Sequence, residues 1–137
     1  DTITKFVSYC LRLLNKKSLP TPRKTSYYYH IIAYLDRVTD IIKYAARDLK
    51  SYNKKLDKNV ADILETVTKD VELYYKLFYA YDNNKIIQIN ADRYELEKKL
   101  RTLPDTLANK EVIIATSVFH ITEILLDLIE ARTALEY

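Results

Sequence analysis

Apolar residues recur three and four positions apart along most of this chain, the spacing that places them on one face of an α-helix. The clearest stripe lies between residues 22 and 52 and comprises Tyr28, Ile31, Leu35, Val38, Ile42, Ala45 and Leu49. Similar stripes predict four more helices. We expect them at Thr2–Leu14, from Asn59 to about Tyr81, from Lys85 to about Leu103, and from Thr106 or Asn109 to the C-terminus.

Helix-breaking and helix-capping residues separate these stripes. Thr21 followed by Pro22 is a typical N-cap and first helical position, and Asn59 can cap the third helix. The cluster Asp82-Asn83-Asn84 can cap the fourth helix, and Asn109 or Thr106 the fifth. The β-branched run at 112–119 would also suit a buried strand, but no second strand is available to pair with it. The pattern therefore predicts an all-α fold, an antiparallel up-and-down helical bundle.

The composition excludes several classes of site. The 137 residues contain no glycine, whereas phosphate-cradling loops and the dinucleotide-binding fingerprint both require it. The single cysteine, Cys10, cannot form an internal disulfide, and no zinc-ligand spacing is present. No nucleophile–base set is visible either. We therefore expect a protein that is not an enzyme, is cytoplasmic and has no membrane-spanning helix. Because methionine is absent, we also expect the chain to start partway through a longer protein.

Charge is distributed unevenly along the chain. Residues 1–58 hold 13 Lys and Arg against 5 Asp and Glu, whereas residues 59–137 hold 9 against 14. One interpretation is nucleic-acid contact through the basic part, by Arg12, Lys16, Lys17, Arg23 and Lys24. The interpretation we favour is that both parts are solvated surfaces, whose opposite charge also helps a homodimer to associate.

Two segments resemble one another and indicate an internal repeat. LDRVTDIIKYA (residues 35–45) aligns with ITEILLDLIEA (residues 121–131), which matches Asp36 with Glu123 and Asp40 with Asp127. The preceding helices then correspond as well, and the third helix has no equivalent in the first half. This predicts that residues 1–56 are the remainder of a first three-helix repeat and residues 57–137 are a second one.

A three-helix repeat whose last helix carries two acidic residues four apart resembles the PhoU family. In PhoU proteins the motif reads Glu-Arg-Ile-Gly-Asp with Asn four residues later, and here it reads Asp36-Arg37-Val38-Thr39-Asp40. The segment 15–44 is also similar to archaeal PhoU-type proteins in which a DNA-binding AbrB-like segment precedes the helices. The family glycine is replaced by Thr39 and Leu126, and the family asparagine by Tyr44 and Ala131.

The resemblance implies a non-enzymatic regulator of phosphate uptake and phosphate signalling. Its partners would be a phosphate transporter or the associated sensor kinase. Some PhoU proteins bind iron or zinc on their acidic pairs, which implies a possible metal cofactor. The alternative is a helical dimerisation module of a transcriptional regulator, with nucleic-acid contact through the basic N-terminal part.

The acidic pairs are the candidate metal ligands. Carboxylates four residues apart lie one turn apart on a helix and can reach one cation. In the last helix Thr116 and His120 continue the stripe, and the candidate ligands for iron, zinc or manganese are His120, Glu123, Asp127 and Glu130. Asp36 and Asp40 are weaker candidates, because Arg37, Lys43 and Arg47 can neutralise them. A solvated charged face is the alternative for both pairs. We interpret His30, Cys10 and the tyrosines as packing residues.

Overall fold

The structure is a computed structural model that describes residues 2–17 and 21–137. Those residues form five helices: α1 (Thr2–Lys16), α2 (Pro22–Tyr52), α3 (Lys58–Tyr79), α4 (Asn83–Arg101) and α5 (Asn109–Glu136). The described residues contain no strand, so the run at 112–119 is helical. The predicted all-α helical bundle is confirmed.

Helix α5 lies at the centre of the bundle. It packs against α2, α3 and α4, and it contributes the largest share of the buried side chains. Those side chains occupy most of its circumference: Glu111, Ile114, Ala115, Val118, Ile121, Thr122, Ile124, Leu125, Leu128, Ile129 and Ala131. A helix that is apolar around most of its surface must be enclosed by neighbours. The other helices are therefore arranged around α5.

Contacts between residues on different helices show the directions in which the helices run. The Glu111 carboxylate of α5 bonds the backbone at Asp57, and Arg132 near the end of α5 bonds the backbone at Phe78. Helices α3 and α5 therefore run parallel. Lys99 of α4 lies 3.9 Å from Asp62 near the start of α3, so α4 runs antiparallel to both. Helix α2 is antiparallel to α5, since Arg37 meets His120 while Tyr27 shares a cavity with Glu130.

Within residues 2–17 and 21–137, helix α1 packs only against α2, and it has no fully buried residue. The predicted stripe on α2 is accordingly buried only in part. Ile31, Val38 and Ala45, seven residues apart, are buried, whereas Leu35 is 40% exposed and Ile42 is 47% exposed. Cys10 is half-buried between α1 and α2 rather than in the core.

The N-caps of α2 and α4 are as predicted from the sequence, whereas those of α3 and α5 differ from the prediction. The Thr21 hydroxyl accepts a hydrogen bond from the Lys24 amide, and Asp82 accepts one from the Asn84 amide. The prediction of Asn59 as a cap was wrong, because Asp57 is the N-cap and accepts from the Asn59 amide. Helix α5 begins at Asn109 with Ala108 as N-cap, which has no side-chain acceptor.

A buried carboxylate joins the α2–α3 connection to the start of α5. Glu111 is 5% exposed, and its Oε1 atom accepts a hydrogen bond of 2.7 Å from the backbone amide of Asp57. Burial, and then a hydrogen bond to Glu111, raise the pKa of Tyr52 at the end of α2. Glu111 therefore contacts groups at the end of α2 and the start of α3, and it also suits the positive end of the α5 dipole.

Helix α5 is long and apolar enough to cross a membrane by length and composition, although no membrane-spanning helix was expected. Half of its most apolar stretch is buried inside the bundle. The core helix of a soluble protein satisfies the same criterion, so this is weak evidence for a membrane span.

Replacing the buried Glu111 is expected to destabilise the fold. Glu111→Ala should lower the free energy of unfolding by about 2 kcal/mol, because it removes a hydrogen bond between a buried carboxylate and the half-buried amide of Asp57. Denaturant unfolding followed by circular dichroism measures the change. Glu95→Ala on the exposed side of α4 is the matched control and should change stability by less than about 0.5 kcal/mol. Equal losses in the two variants would contradict the assigned role.

Candidate functional site

The first acidic pair lies on α2, at the edge that faces α1. Asp36 is half-buried and Asp40 is exposed, and both line a cavity of about 330 Å³ with Ile3 and Thr4 of α1. Lys43 donates a 2.6 Å bond to Asp40, and this bond is the main reason why the pKa of Lys43 is raised. Asp40 is therefore neutralised by its own helix, as the sequence suggested.

The two other cations that were expected to neutralise this pair, Arg37 and Arg47, contact other groups. Arg37 reaches across to α5, where its Nη2 atom lies 3.1 Å from Nε2 of His120. The Arg47 guanidinium lies over the Tyr44 ring, 5.6 Å from its centroid. Arg37 is thus a link between α2 and α5 rather than a counter-ion on the surface of α2.

The second acidic pair is divided between two neighbours of α5. Arg93 of α4 donates a 2.9 Å bond from Nε to Oε1 of Glu123. Asp127 and Glu130 instead line a cavity of about 380 Å³ between α5 and α2, together with His30, Tyr27 and Tyr34. His30 packs edge-on against Tyr34, with ring centroids 4.3 Å apart. The interpretation of His30 as a packing residue agrees with this contact.

The six predicted ligands therefore do not meet at one point. Asp36 and Asp40 border α1, Glu123 is bonded to α4, and His120, Asp127 and Glu130 lie on the side of α5 that borders α2. Within residues 2–17 and 21–137, no three His, Cys, Asp or Glu side chains are grouped so that they could hold a metal ion. The metal site stays a prediction.

Elemental analysis of protein purified without a chelator tests that prediction. Near-stoichiometric iron, zinc or manganese that is lost in Glu123→Ala/Asp127→Ala would support a site on α5. Arg93→Ala should raise the metal content, since it frees Glu123 from its ion pair. Metal absent from both the wild type and Arg93→Ala would contradict the predicted site.

An apolar groove lies between α2 and α3, with α5 as its floor. It has a volume of about 320 Å³. The residues that line it are Ile42, Ala45, Ala46 and Leu49 from α2, Leu64, Val67, Thr68, Val71 and Glu72 from α3, and Val118 and Ile121 from α5. Helices α2 and α3 each pack against α5 and not against one another, which leaves the groove open. Sequence periodicity could not reveal it, because it depends on how three helices are placed.

A buried acid that is not among the predicted site residues lies on the side of α3 that faces α4. Asp70 is 0% exposed, and no hydrogen-bond donor in the described structure reaches either of its carboxyl oxygens. Burial, the negative charge of Asp92 on α4 and a hydrogen bond to Asp92 raise the pKa of Asp70 to about 8. The helical spacing indicated that Asp70 would be buried, because it lies three residues after Val67 and four before Tyr74 on the same buried face of α3.

No protein-family model, curated protein or solved structure matches this chain.

Proposed function

We propose that this chain is a non-enzymatic regulatory domain that acts by binding a partner protein through the groove between α2 and α3. The observation that carries the proposal is the groove itself, an open apolar channel bordered by two helices that do not touch each other. The assignment to phosphate uptake and phosphate signalling in the cytoplasm rests on the resemblance to PhoU proteins.

The lining of the groove favours a helical partner segment. Its walls are aliphatic, and Ala45 and Ala46 keep the α2 wall low, which allows another backbone to approach closely. Apolar grooves between helices are commonly filled by an amphipathic helix that inserts side chains at i, i+3, i+4 and i+7.

The charge at the rim indicates how that helix is oriented. Among the described residues that line the groove, Glu72 is the only charged one, and it is exposed on the α3 side. A Lys or Arg on the flank of the incoming helix would complement it. We therefore propose an amphipathic helix with one basic flank, supplied by a phosphate transporter or by its sensor kinase.

A charge placed in the groove should weaken partner binding. Ala46→Glu adds a carboxylate to an apolar wall and should raise the Kd for the partner at least about tenfold, since burying an unpaired charge is costly. Calorimetric titration with the purified phosphate transporter and its sensor kinase from the source organism measures this Kd. Ala91→Glu, an exposed alanine on α4, is the matched control and should leave Kd unchanged.

Each outcome of that titration bears on a different part of the proposal. Binding to neither phosphate protein would overturn the phosphate assignment. Equal weakening by Ala46→Glu and Ala91→Glu would overturn the role of the groove. If sedimentation shows a wild-type dimer that only Ala46→Glu dissociates, a second copy occupies the groove and the chain is a dimerisation module.

The alternative as part of a transcriptional regulator is favoured by one specific observation. Arg12, Lys16, Lys17, Arg23 and Lys24 are all exposed, and they lie at the end of α1 and the start of α2. Exposed cations at one end of a helical pair can contact phosphates. Fluorescence anisotropy with a DNA duplex of mixed sequence tests this function. Affinity that falls steeply with salt supports it, and no binding at low salt excludes it.

A further inference from the structure

The buried side of α3 is interrupted by one acid. Its buried positions are Val60, Ile63, Val67, Asp70, Tyr74 and Leu77, and Asp70 lies in the middle of this series. Across from it, α4 presents Asp92 between the buried residues Ile89 and Leu96. Two acids thus meet where two apolar helix faces pack together.

Ionised carboxylates accept hydrogen bonds and cannot donate them. Gln88 donates from Nε2 to both oxygens of Asp92, at 3.0 Å each, and so marks Asp92 as the acceptor. Asp70 has no donor of its own among the described residues. The two acids can therefore bond each other only while a proton lies on one of them, and the buried Asp70 is its natural site.

The charged groups around this pair do not supply a substitute for that proton. On α3, Lys69 is bonded to Glu65 at 2.6 Å, and the charge of Asp92 acts on Lys69 to a smaller extent than that of Glu65. On α4, Arg93 follows Asp92 directly but is bonded to Glu123 of α5.

The arginine of α5 is also bonded to other groups. Arg132 bonds Glu136 of its own helix and the carbonyl of Phe78, which lies at the far end of α3. Asp92 is the only charged group that acts appreciably on Asp70 in the described structure.

We propose that Asp70 and Asp92 share one proton, that this proton holds α4 against α3, and that its loss loosens α4 from the bundle. When the proton leaves, two negative charges face each other in a poorly solvated interface, where their repulsion is weakly screened. Helix α4 is the element that can yield, because only Ile89 and Leu96 of its side chains are fully buried.

Loosening of α4 from α3 is expected to change the groove between α2 and α3. Val67 and Val71, which line the groove, precede and follow Asp70 within one turn of α3. A change in how α3 is held by α4 therefore alters one wall of the groove. This consequence rests on the proposed function, whereas the shared proton itself can be measured on the chain alone.

The sign of the pH effect on stability follows from the raised pKa. Between about pH 4 and pH 8 the folded chain keeps a proton on Asp70 that the unfolded chain releases, so stability falls as pH rises across that window. One proton released on unfolding multiplies the unfolding constant by about ten per pH unit. Asp70→Asn removes this proton and supplies an amide donor to Asp92.

The experiment compares denaturant unfolding of the whole chain from pH 4 to pH 9 with hydrogen exchange of α4. The unfolding constant of the wild type should rise relative to that of Asp70→Asn by nearly tenfold per pH unit below pH 8. Above pH 8, protection of α4 amides, corrected for intrinsic exchange, should fall in the wild type and persist in Asp70→Asn. Asp105→Asn, an exposed acid in the α4–α5 turn, should behave as the wild type does.

Asp92→Asn provides an independent test should Asp70→Asn fold poorly. It removes the opposing charge and supplies a donor from the α4 side, so protection of α4 should persist above pH 8. Parallel pH profiles for the wild type and for either variant would overturn the proposal. A loss of protection in α2 equal to that in α4 would overturn the assignment of the loosening to α4.

Discussion

The arrangement of the bundle follows from the burial of the apolar surface of α5. Its apolar positions extend around most of the helix, so no single neighbour can cover them. Helices α2, α3 and α4 share the task, each on a different side. Because α2 and α3 are held by α5 rather than by each other, their facing surfaces are not fully closed. The open groove is thus a direct result of the way α5 is buried.

Several hydrogen bonds hold α3 to α5, whereas α4 is held to α3 by the longer ion pair of Lys99 with Asp62, at 3.9 Å. Along the α3–α5 contact, the Tyr74 hydroxyl donates to the Leu128 carbonyl, and Arg132 donates to the Phe78 carbonyl. Just after the end of α3, the Tyr81 hydroxyl donates to the Thr133 hydroxyl of α5. Burial also raises the pKa of Tyr74, which keeps that hydroxyl protonated as a donor. The α3–α4 contact has at its middle the acid pair of Asp70 and Asp92 instead. The contact of α3 with α4 should therefore weaken when Asp70 loses its proton, whereas the contact of α3 with α5 should not.

Local sequence rules were sufficient for the fold class and for most helix ends. Periodicity and breakers located five helices, and Thr21 and Asp82 cap as their residue types suggest. The N-cap of α3 was misplaced by two residues, because Asp57 and Asn59 are both good caps. The extent of burial on α2 was overestimated, since a regular stripe does not reveal whether neighbours cover all of it.

The candidate site was less predictable, for a physical reason. Arg37 bonds a residue 83 positions away and Arg93 bonds one 30 positions away, and no local pattern specifies such pairs. The acidic residues of α5 looked like one stripe, but a helix face can be divided between two neighbours when both reach it. Glu123 and Asp127 were divided in this way.

The peripheral position of α1 affects the order in which the chain can unfold. None of the described residues of α1 is buried, and α2 is its only neighbour in the described structure. Separating α1 from α2 therefore exposes little apolar surface that was fully buried. Native proteins open in cooperative units, and the least embedded unit opens first. Helix α1 is such a unit. Its release would expose Ile32, and would expose Leu35 further, while the core around α5 stays intact. In that minor state α2 would present more apolar surface to solvent than it does in the major state.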